Sequence, residues 1–400
     1  MKILISLLGI VVILSIMYIM STNKKNIPYK TILKAVSIQF IIAFILVKFP
    51  LGRLAVEKVS SVVTRILDYG KDGLAFLFGS LADGAASTGF IFAIQTLGNI
   101  IFVSALVAAL YYLGILGFVV KIIGKAVGKL LGTTQVESFV AVANMFLGQT
   151  ESPILVSKYL NKMTESEILV VLVSGMGSMS ATIIGGYTAL GIPMEYLLIA
   201  SALVPMGSIA ISKILYPEIE EARQFDDISM DRKGDNENLI GAISEGAMSG
   251  LNTALAIGAA LIAIIALVAM VNGFLGIFGT TLQDLLSYLF APIGWLMGLD
   301  GKEVLTAGQM LGTKIALNEF VAFEALGKIL NELSYRTGLI ITISLCGFAN
   351  ISSMGVCISG ISALCPEKKN TLAKLAFKAM IGGFTVSVLS AMIVGVITLI

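Results

Sequence analysis

Apolar runs of about 20 residues, the length a helix needs to cross a bilayer core, recur along the chain. They fall at Leu4 to Met20, Ile32 to Phe49, Leu97 to Leu116, Ile168 to Leu190, Tyr196 to Leu215, Ala254 to Phe274, Leu339 to Leu364 and Leu375 to Ile400. The pattern predicts an all-α membrane protein with eight transmembrane helices. Lys2 precedes the first run as it would in a signal peptide, but no small-residue cleavage pattern follows, so the run reads as a retained helix. Three further stretches, Leu51 to Tyr69, Val120 to Leu131 and Thr281 to Trp295, mix an apolar face with charged, Gly or Ser positions and predict helices lying in the interface. Between Pro217 and Asn238 charges of both signs crowd together without an apolar period, which predicts an aqueous loop.

Two stretches fit none of these patterns. Ser138 to Leu160, containing GQTESP, and Val304 to Leu330, containing GTKIALNEF, carry too many polar groups for lipid and are interrupted by Gly or Pro. Backbone that breaks at membrane depth is tolerated only where it is buried in protein or lines a wet cavity. Both are therefore expected to be re-entrant hairpins. Each is followed by an apolar helix made breakable by small polar residues, SGMGSMSATIIGG from Ser174 and CGFANISSMGVCISG from Cys346. A hairpin with a carboxylate and then a broken helix thus occurs twice, the signature of a secondary transporter built from repeats, with its site where they meet. The expected organisation is scaffold helices over 1–120, a first transport unit over 121–216, a loop over 217–240, scaffold over 241–300 and a second transport unit over 301–400.

Composition agrees with the pattern. Of 400 residues 57% are hydrophobic and 13% charged, whereas a surface in water needs roughly 25 to 35% charge. Histidine is absent, which removes histidine metal sites, proton shuttles and Ser–His or Cys–His catalytic pairs. A net charge of +2 implies no nucleic-acid partner. Cys346, Cys357 and Cys365 form neither a paired set nor a CxxC motif and read as buried, reduced thiols.

Charge distribution sets the expected orientation. If the first helix starts outside, one side collects 17 of the 27 Lys and Arg, in Lys24 to Lys34, Lys121 to Lys129, Lys158 and Lys162, Lys213 to Lys233 and Lys368 to Lys378. The positive-inside rule then places both termini outside the cytoplasm, with the hairpins entering from opposite faces as an inverted repeat.

A carboxylate near the bilayer midplane costs at least roughly 2.5 kcal/mol, so Glu151 and Glu319 are functional candidates by default. Gln149, Thr150, Asn318, Asn350 and Ser353 add amides and hydroxyls, together describing a ligand rich in such groups. Lys314 is a candidate permanent partner for Glu319. Scattered polar residues such as Ser104 and Thr253 read as helix glue, Met176 and Met179 as core filler, and Asp300 and Glu303 as solvated.

At GQTESP (Gly148 to Pro153), GTKIALNEF (Gly312 to Phe320) and CGFANISS (Cys346 to Ser353) the chain resembles the concentrative nucleoside transporters. The three motifs stand in the family's order and the resemblance runs from about Lys121 to the C-terminus; before that only hydropathy agrees. It implies a homotrimer in the bacterial inner membrane. It also implies a nucleobase held against Gln149, Thr150 and Glu151 with Ile183 and Phe348 as apolar flanks, and a ribose meeting Glu319, Asn350 and Ser353. Sodium would sit at Asn144, Leu147, Ser178, Met179 and Thr150, mostly on carbonyl and hydroxyl oxygens that suit a hard cation. The expected activity is sodium-coupled uptake of purine and pyrimidine nucleosides by alternating access, without an organic cofactor. Proton coupling, a channel and an intramembrane enzyme using Glu151 and Glu319 remain alternatives.

Overall fold

A computed structural model describes residues 1–220 and 236–400. Residues 221–235 of the expected Pro217 to Asn238 loop, with Arg223, Arg232 and Lys233, lie outside the described residues. The chain begins with α1 (Lys2–Ile19), α2 (Tyr29–Val47), α3 (Pro50–Phe78), the short α4 (Phe92–Gln95) and α5 (Leu97–Tyr112). Next, α6 (Ile115–Leu131) leads into a first hairpin of α7 (Gln135–Ala143), a tip of turns, α8 (Ser152–Leu155) and α9 (Ser157–Leu160). A split helix, α10 (Glu165–Met176) and α11 (Ala181–Ala189), precedes α12 (Met194–Leu215) and the long α13 (Leu239–Leu275). The order then recurs: α14 (Leu282–Leu296), a hairpin of α15 (Lys302–Ala316) and α16 (Glu319–Ile329), split α17 (Tyr335–Leu345) and α18 (Ile351–Leu364), and α19 (Lys369–Ile397). Among the described residues there is no strand.

Among the described residues, seven helical stretches are long and apolar enough to cross a membrane. The eighth expected span, Leu339 to Leu364, is cut at 346–350, so neither half reaches that length alone. Several boundaries differ from the hydropathy reading, three of them with a clear local cause. Gly114 takes a left-handed φ of 76°, open to glycine without a Cβ penalty, so α5 stops at Tyr112 and the expected Val120 to Leu131 helix begins earlier, at Ile115. The expected Leu51 to Tyr69 helix continues to Phe78 because its buried stripe of Val56, Ser60, Leu67, Gly70 and Leu74 extends past Tyr69. The expected Ala254 to Phe274 span starts at Leu239, where the Asn238 side chain accepts from Gly241 N at 2.8 Å and caps the helix.

Close contacts sort the chain ends into two poles. At one, Thr22 N donates to the Leu215 carbonyl at 3.0 Å, Thr31 Oγ1 to that of Leu131 at 3.1 Å, and Lys368 Nζ to that of Met163 at 2.8 Å. At the other, Ser6 Oγ donates to the Met297 carbonyl at 3.1 Å and Lys2 pairs with Asp300 at 2.9 Å. The first hairpin opens at the first pole, where Thr134 and Thr164 cap α7 and α10 and Thr134 Oγ1 donates to Glu167 at 2.9 Å. Buried Lys213 of α12 joins them, ion-paired with Glu137 and donating to Ser166 Oγ at 2.8 Å. The second hairpin opens at the opposite pole, where Thr337 donates to Glu303 at 2.7 Å, so Glu303 is bonded to α17 rather than merely solvated. The two units therefore enter the bundle from opposite ends.

Burial separates a core from a periphery. The apolar window of the split α10–α11 helix is 94% buried, that of α13 only 11%. Yet α13 packs tightly on α5: a Cβ at Gly246 would come within 2.5 Å of the Ala108 Cβ, and one at Gly250 within 2.8 Å of the Ile101 Cα. Small residues are what let two membrane helices approach so closely.

Candidate functional site

Both split helices break for a local reason, and the break creates the site. In the first, α10 ends at Met176 with Gly177 as its cap, and Ser180 starts α11 by accepting from Thr182 N at 3.3 Å. In the second, Gly347 takes φ +111°, and Asn350 caps α18 by accepting from Ser353 N at 2.9 Å. Ser and Asn compete for backbone donors in this way, which makes them good helix starters and poor helix interiors. The two breaks touch: Phe348 N donates to the Ser178 carbonyl at 3.2 Å, and a Cβ on Gly347 would lie 2.8 Å from the Gly177 carbonyl. Two helix N-termini, at Ser180 and Asn350, thus meet inside the bundle, each with a positive dipole end.

Each hairpin delivers its carboxylate to the N-cap of its own split helix. Glu151 accepts from Ser180 Oγ at 3.2 Å and from Gly148 N at 3.2 Å. Glu319 accepts from Asn350 Nδ2 at 3.0 Å. Side-chain contacts also cross between the units: Tyr187 of α11 donates its hydroxyl to Glu319 at 3.3 Å, Gln149 Nε2 donates to Ser353 Oγ at 3.4 Å, and Gln149 Oε1 accepts from Cys357 Sγ at 3.3 Å. Lys314 makes no ion pair with Glu319; it donates to the Ser344 and Cys346 carbonyls and to Ser387 Oγ instead. The Glu319 carboxylate is therefore left to polar neighbours and to the cavity.

All eight residues expected at a ligand, Gln149, Thr150, Glu151, Ile183, Glu319, Phe348, Asn350 and Ser353, line one cavity of about 690 Å³. That volume lies within the usual range for small-molecule sites. Asn144, Leu147, Ser178 and Met179 are buried and do not line this cavity; Leu147 and Met179 precede its residues Gly148 and Ser180, and the Ser178 carbonyl bonds Phe348. The Asn144 amide nitrogen donates to Ser174 Oγ at 2.9 Å, while its oxygen is buried without a hydrogen-bond partner. An unpartnered buried oxygen costs free energy, and a hard cation would satisfy it. A larger cavity of about 1070 Å³ between α13 and α16 is lined mainly by apolar side chains such as Phe92, Leu261 and Ile265. Its polar lining is Gln283 and the Glu324–Lys328 ion pair of α16.

Sequence reasoning missed part of the wall. Ser180, Thr182 and, from α13, Glu245, Ser249 and Asn252 face the same cavity. Thr253 lines it too, although its hydroxyl bonds only to the Ser249 carbonyl of its own helix, at 2.9 Å. The signal was present as polar residues on one face of a helical period, but it lay N-terminal to the apolar window that marked the span. Gly148 lines the cavity as well, and a Cβ there would meet Ser180 Cβ at 3.2 Å and the Phe348 ring at 3.4 Å, so the glycine lets the hairpin tip seat closely.

Inverted hairpin units and broken helices that meet at a polar cavity are the architecture of a secondary transporter. Residues 8–81 and 196–395 match the N- and C-terminal models described as Na+ dependent nucleoside transporter, and residues 93–194 match one described as nucleoside recognition. An uncharacterized transporter of Haemophilus influenzae is 39% identical, the alignment covering 99% of this chain and 98% of that one. The nucleoside permease NupC of Helicobacter pylori is 38% identical over 98% of this chain and 96% of its own. The solved structure of CNTnw in an inward-facing, substrate-bound state superposes with a TM-score of 0.96 at 37% identity, covering 100% of both chains. The chain belongs to the concentrative, Na+-dependent nucleoside transporter family, a family of multi-pass membrane transporters and not of enzymes.

Proposed function

We propose that this protein imports purine and pyrimidine nucleosides across the cell membrane by sodium symport. The observation that carries the reading is the pairing of the cavity with the orphaned Asn144 oxygen in the hairpin whose tip lines it. In the cavity, Gln149, Thr150 and Glu151 take the base between Ile183 and Phe348. Glu319, Asn350 and Ser353 take the ribose, since one carboxylate can accept from two hydroxyls of a cis diol. The tip that carries Gln149 also carries Asn144 and Leu147, so sodium held by Asn144, Ser178 and the backbone oxygens of Leu147 and Met179 orders the segment that meets the base. Ion and nucleoside then bind cooperatively, each strengthening the other by the same factor.

Alternating access follows from the cavity wall. One side belongs to the buried hairpin units and the other to α13, so sliding the units of 121–216 and 301–400 along α13 changes which pole the cavity meets. A smaller cavity of about 340 Å³, sharing Glu151, Thr182, Glu245 and Ser249 with the first, reaches Tyr112 and Asn236 at the N-terminal end of α13. The excess of Lys and Arg supports a cytoplasmic side at the pole of Lys213 and Lys368, with both termini outside. The exposed apolar flanks of α3 and α13 suit lipid and the contacts of a homotrimer. The test is uptake of labelled nucleoside into proteoliposomes, with the accumulated compound recovered and identified. An inward sodium gradient at equal pH should drive accumulation of unchanged nucleoside. Accumulation driven by a proton gradient alone, and indifferent to sodium, would replace the coupling ion while keeping the substrate.

A further inference from the structure

Lys314 is a fully enclosed lysine in a hairpin helix, and among the described residues no carboxylate lies within ion-pairing distance of it. Its ammonium instead has three partners: the Ser344 carbonyl at 3.0 Å, the Cys346 carbonyl at 3.2 Å and Ser387 Oγ at 2.9 Å. Ser387 spends its own proton on the Phe384 carbonyl at 2.9 Å, so toward Lys314 it can only accept. Three acceptors match the three N–H bonds of the protonated group, which has no lone pair. The Phe384 ring, with its centroid 5.7 Å from Nζ, adds a further face suited to a cation.

The place of this ammonium in the repeat gives it meaning. α17 ends at Leu345 with Cys346 as its cap, and α10 ends at Met176 with Gly177 as its cap. Ser344 and Cys346 therefore correspond to Gly175 and Gly177, the carbonyl end of the other split helix. In the first unit that end faces Asn144, which closes α7 in the hairpin; in the second it faces Lys314, near the end of α15 in the hairpin. Both split helices stop inside the bundle with a negative dipole end. In the first, the Gly175 carbonyl accepts from Ser178 Oγ at 3.0 Å and the Asn144 side-chain oxygen is orphaned, with no cationic side chain at that end among the described residues; in the second, the ammonium is already there.

We propose that Lys314 is a tethered cation: in the second unit its ammonium takes the place that the coupling ion takes in the first. It is a positioning residue, holding the end of α17, and through it Phe348 and Asn350, in the geometry that meets the nucleoside. The proposal rests on the sodium reading only for the comparison, because the lysine site itself is defined by its own three acceptors.

The test is uridine binding to the purified transporter at saturating sodium. Lys314→Met keeps the volume and removes the charge, and binding should weaken tenfold or more. Lys314→Ala empties the same space, and binding lost there should return at least in half on adding ethylammonium, while the bulkier tetramethylammonium should not restore it. Parent affinity in Lys314→Met would overturn the proposal, even if the Ala variant failed to fold. So would a folded Ala variant whose deficit ethylammonium cannot relieve. Should the unmodified protein bind uridine regardless of sodium, the coupling-ion reading fails, yet ethylammonium rescue of Lys314→Ala still reads out the lysine site independently.

Discussion

Glu319→Gln isolates the charge at the centre of the cavity. The carboxylate accepts from Asn350 Nδ2 at 3.0 Å and from the Tyr187 hydroxyl at 3.3 Å. A glutamine can keep its oxygen on Asn350 and donate its amide to Tyr187, whose hydroxyl also accepts, so the site should stay assembled. What is lost is the negative charge and one acceptor face toward the ligand. A hydrogen bond to a charged group contributes roughly 1.5 to 3 kcal/mol, which predicts uridine binding weaker by about 10- to 150-fold, at 1.4 kcal/mol per tenfold. Calorimetry on the purified protein, with uridine and with an analogue lacking both ribose hydroxyls, forms a double-mutant cycle. The loss should be large for uridine and small for the analogue. Equal losses for both ligands, or unchanged uridine affinity in a folded variant, would remove Glu319 from the ribose site.

Asn144→Ala combined with Ser178→Ala should raise the sodium concentration needed for half-maximal uptake by tenfold or more while leaving the preference among bases unchanged; a shifted base preference at saturating sodium would count against separate ion and base sites. Gly148→Ser should weaken adenosine and uridine alike, because the new Cβ presses on Ser180 and Phe348 rather than on the ligand, and a selective loss of adenosine uptake would contradict this. Glu137→Ala should lower thermal stability, by less than the roughly 3 to 5 kcal/mol of a fully stranded buried charge because Lys213 keeps Ser166 and lies 4.0 Å from Glu218, whereas Glu137→Ala with Lys213→Met should recover much of the loss in a melting assay. For sidedness, the three native cysteines are buried, so Lys25→Cys should be protected from an impermeant thiol reagent on intact cells and Asp300→Cys labelled; the reverse pattern would invert the orientation.

The sequence alone determined what depends on composition and short-range order. Apolar runs too long for soluble helices placed most of the spans. The clash between polar GQTESP or GTKIALNEF and their apolar surroundings marked both hairpins, and Gly, Ser and Asn marked both helix breaks, because these preferences act within a few residues. Only the tertiary structure decided which distant groups meet. Glu319 finds Tyr187 across the unit boundary, Gln149 finds Ser353, and Lys314 turns from the nearby Glu319 to the carbonyls of Ser344 and Cys346. Nothing in spacing could favour one partner over another, since each choice depends on how two hairpins entering from opposite ends cross. The polar face of α13 was hidden for a related reason. Hydropathy averages around a helix, so it cannot tell that Glu245, Ser249 and Asn252 point into a cavity until the facing units are in place.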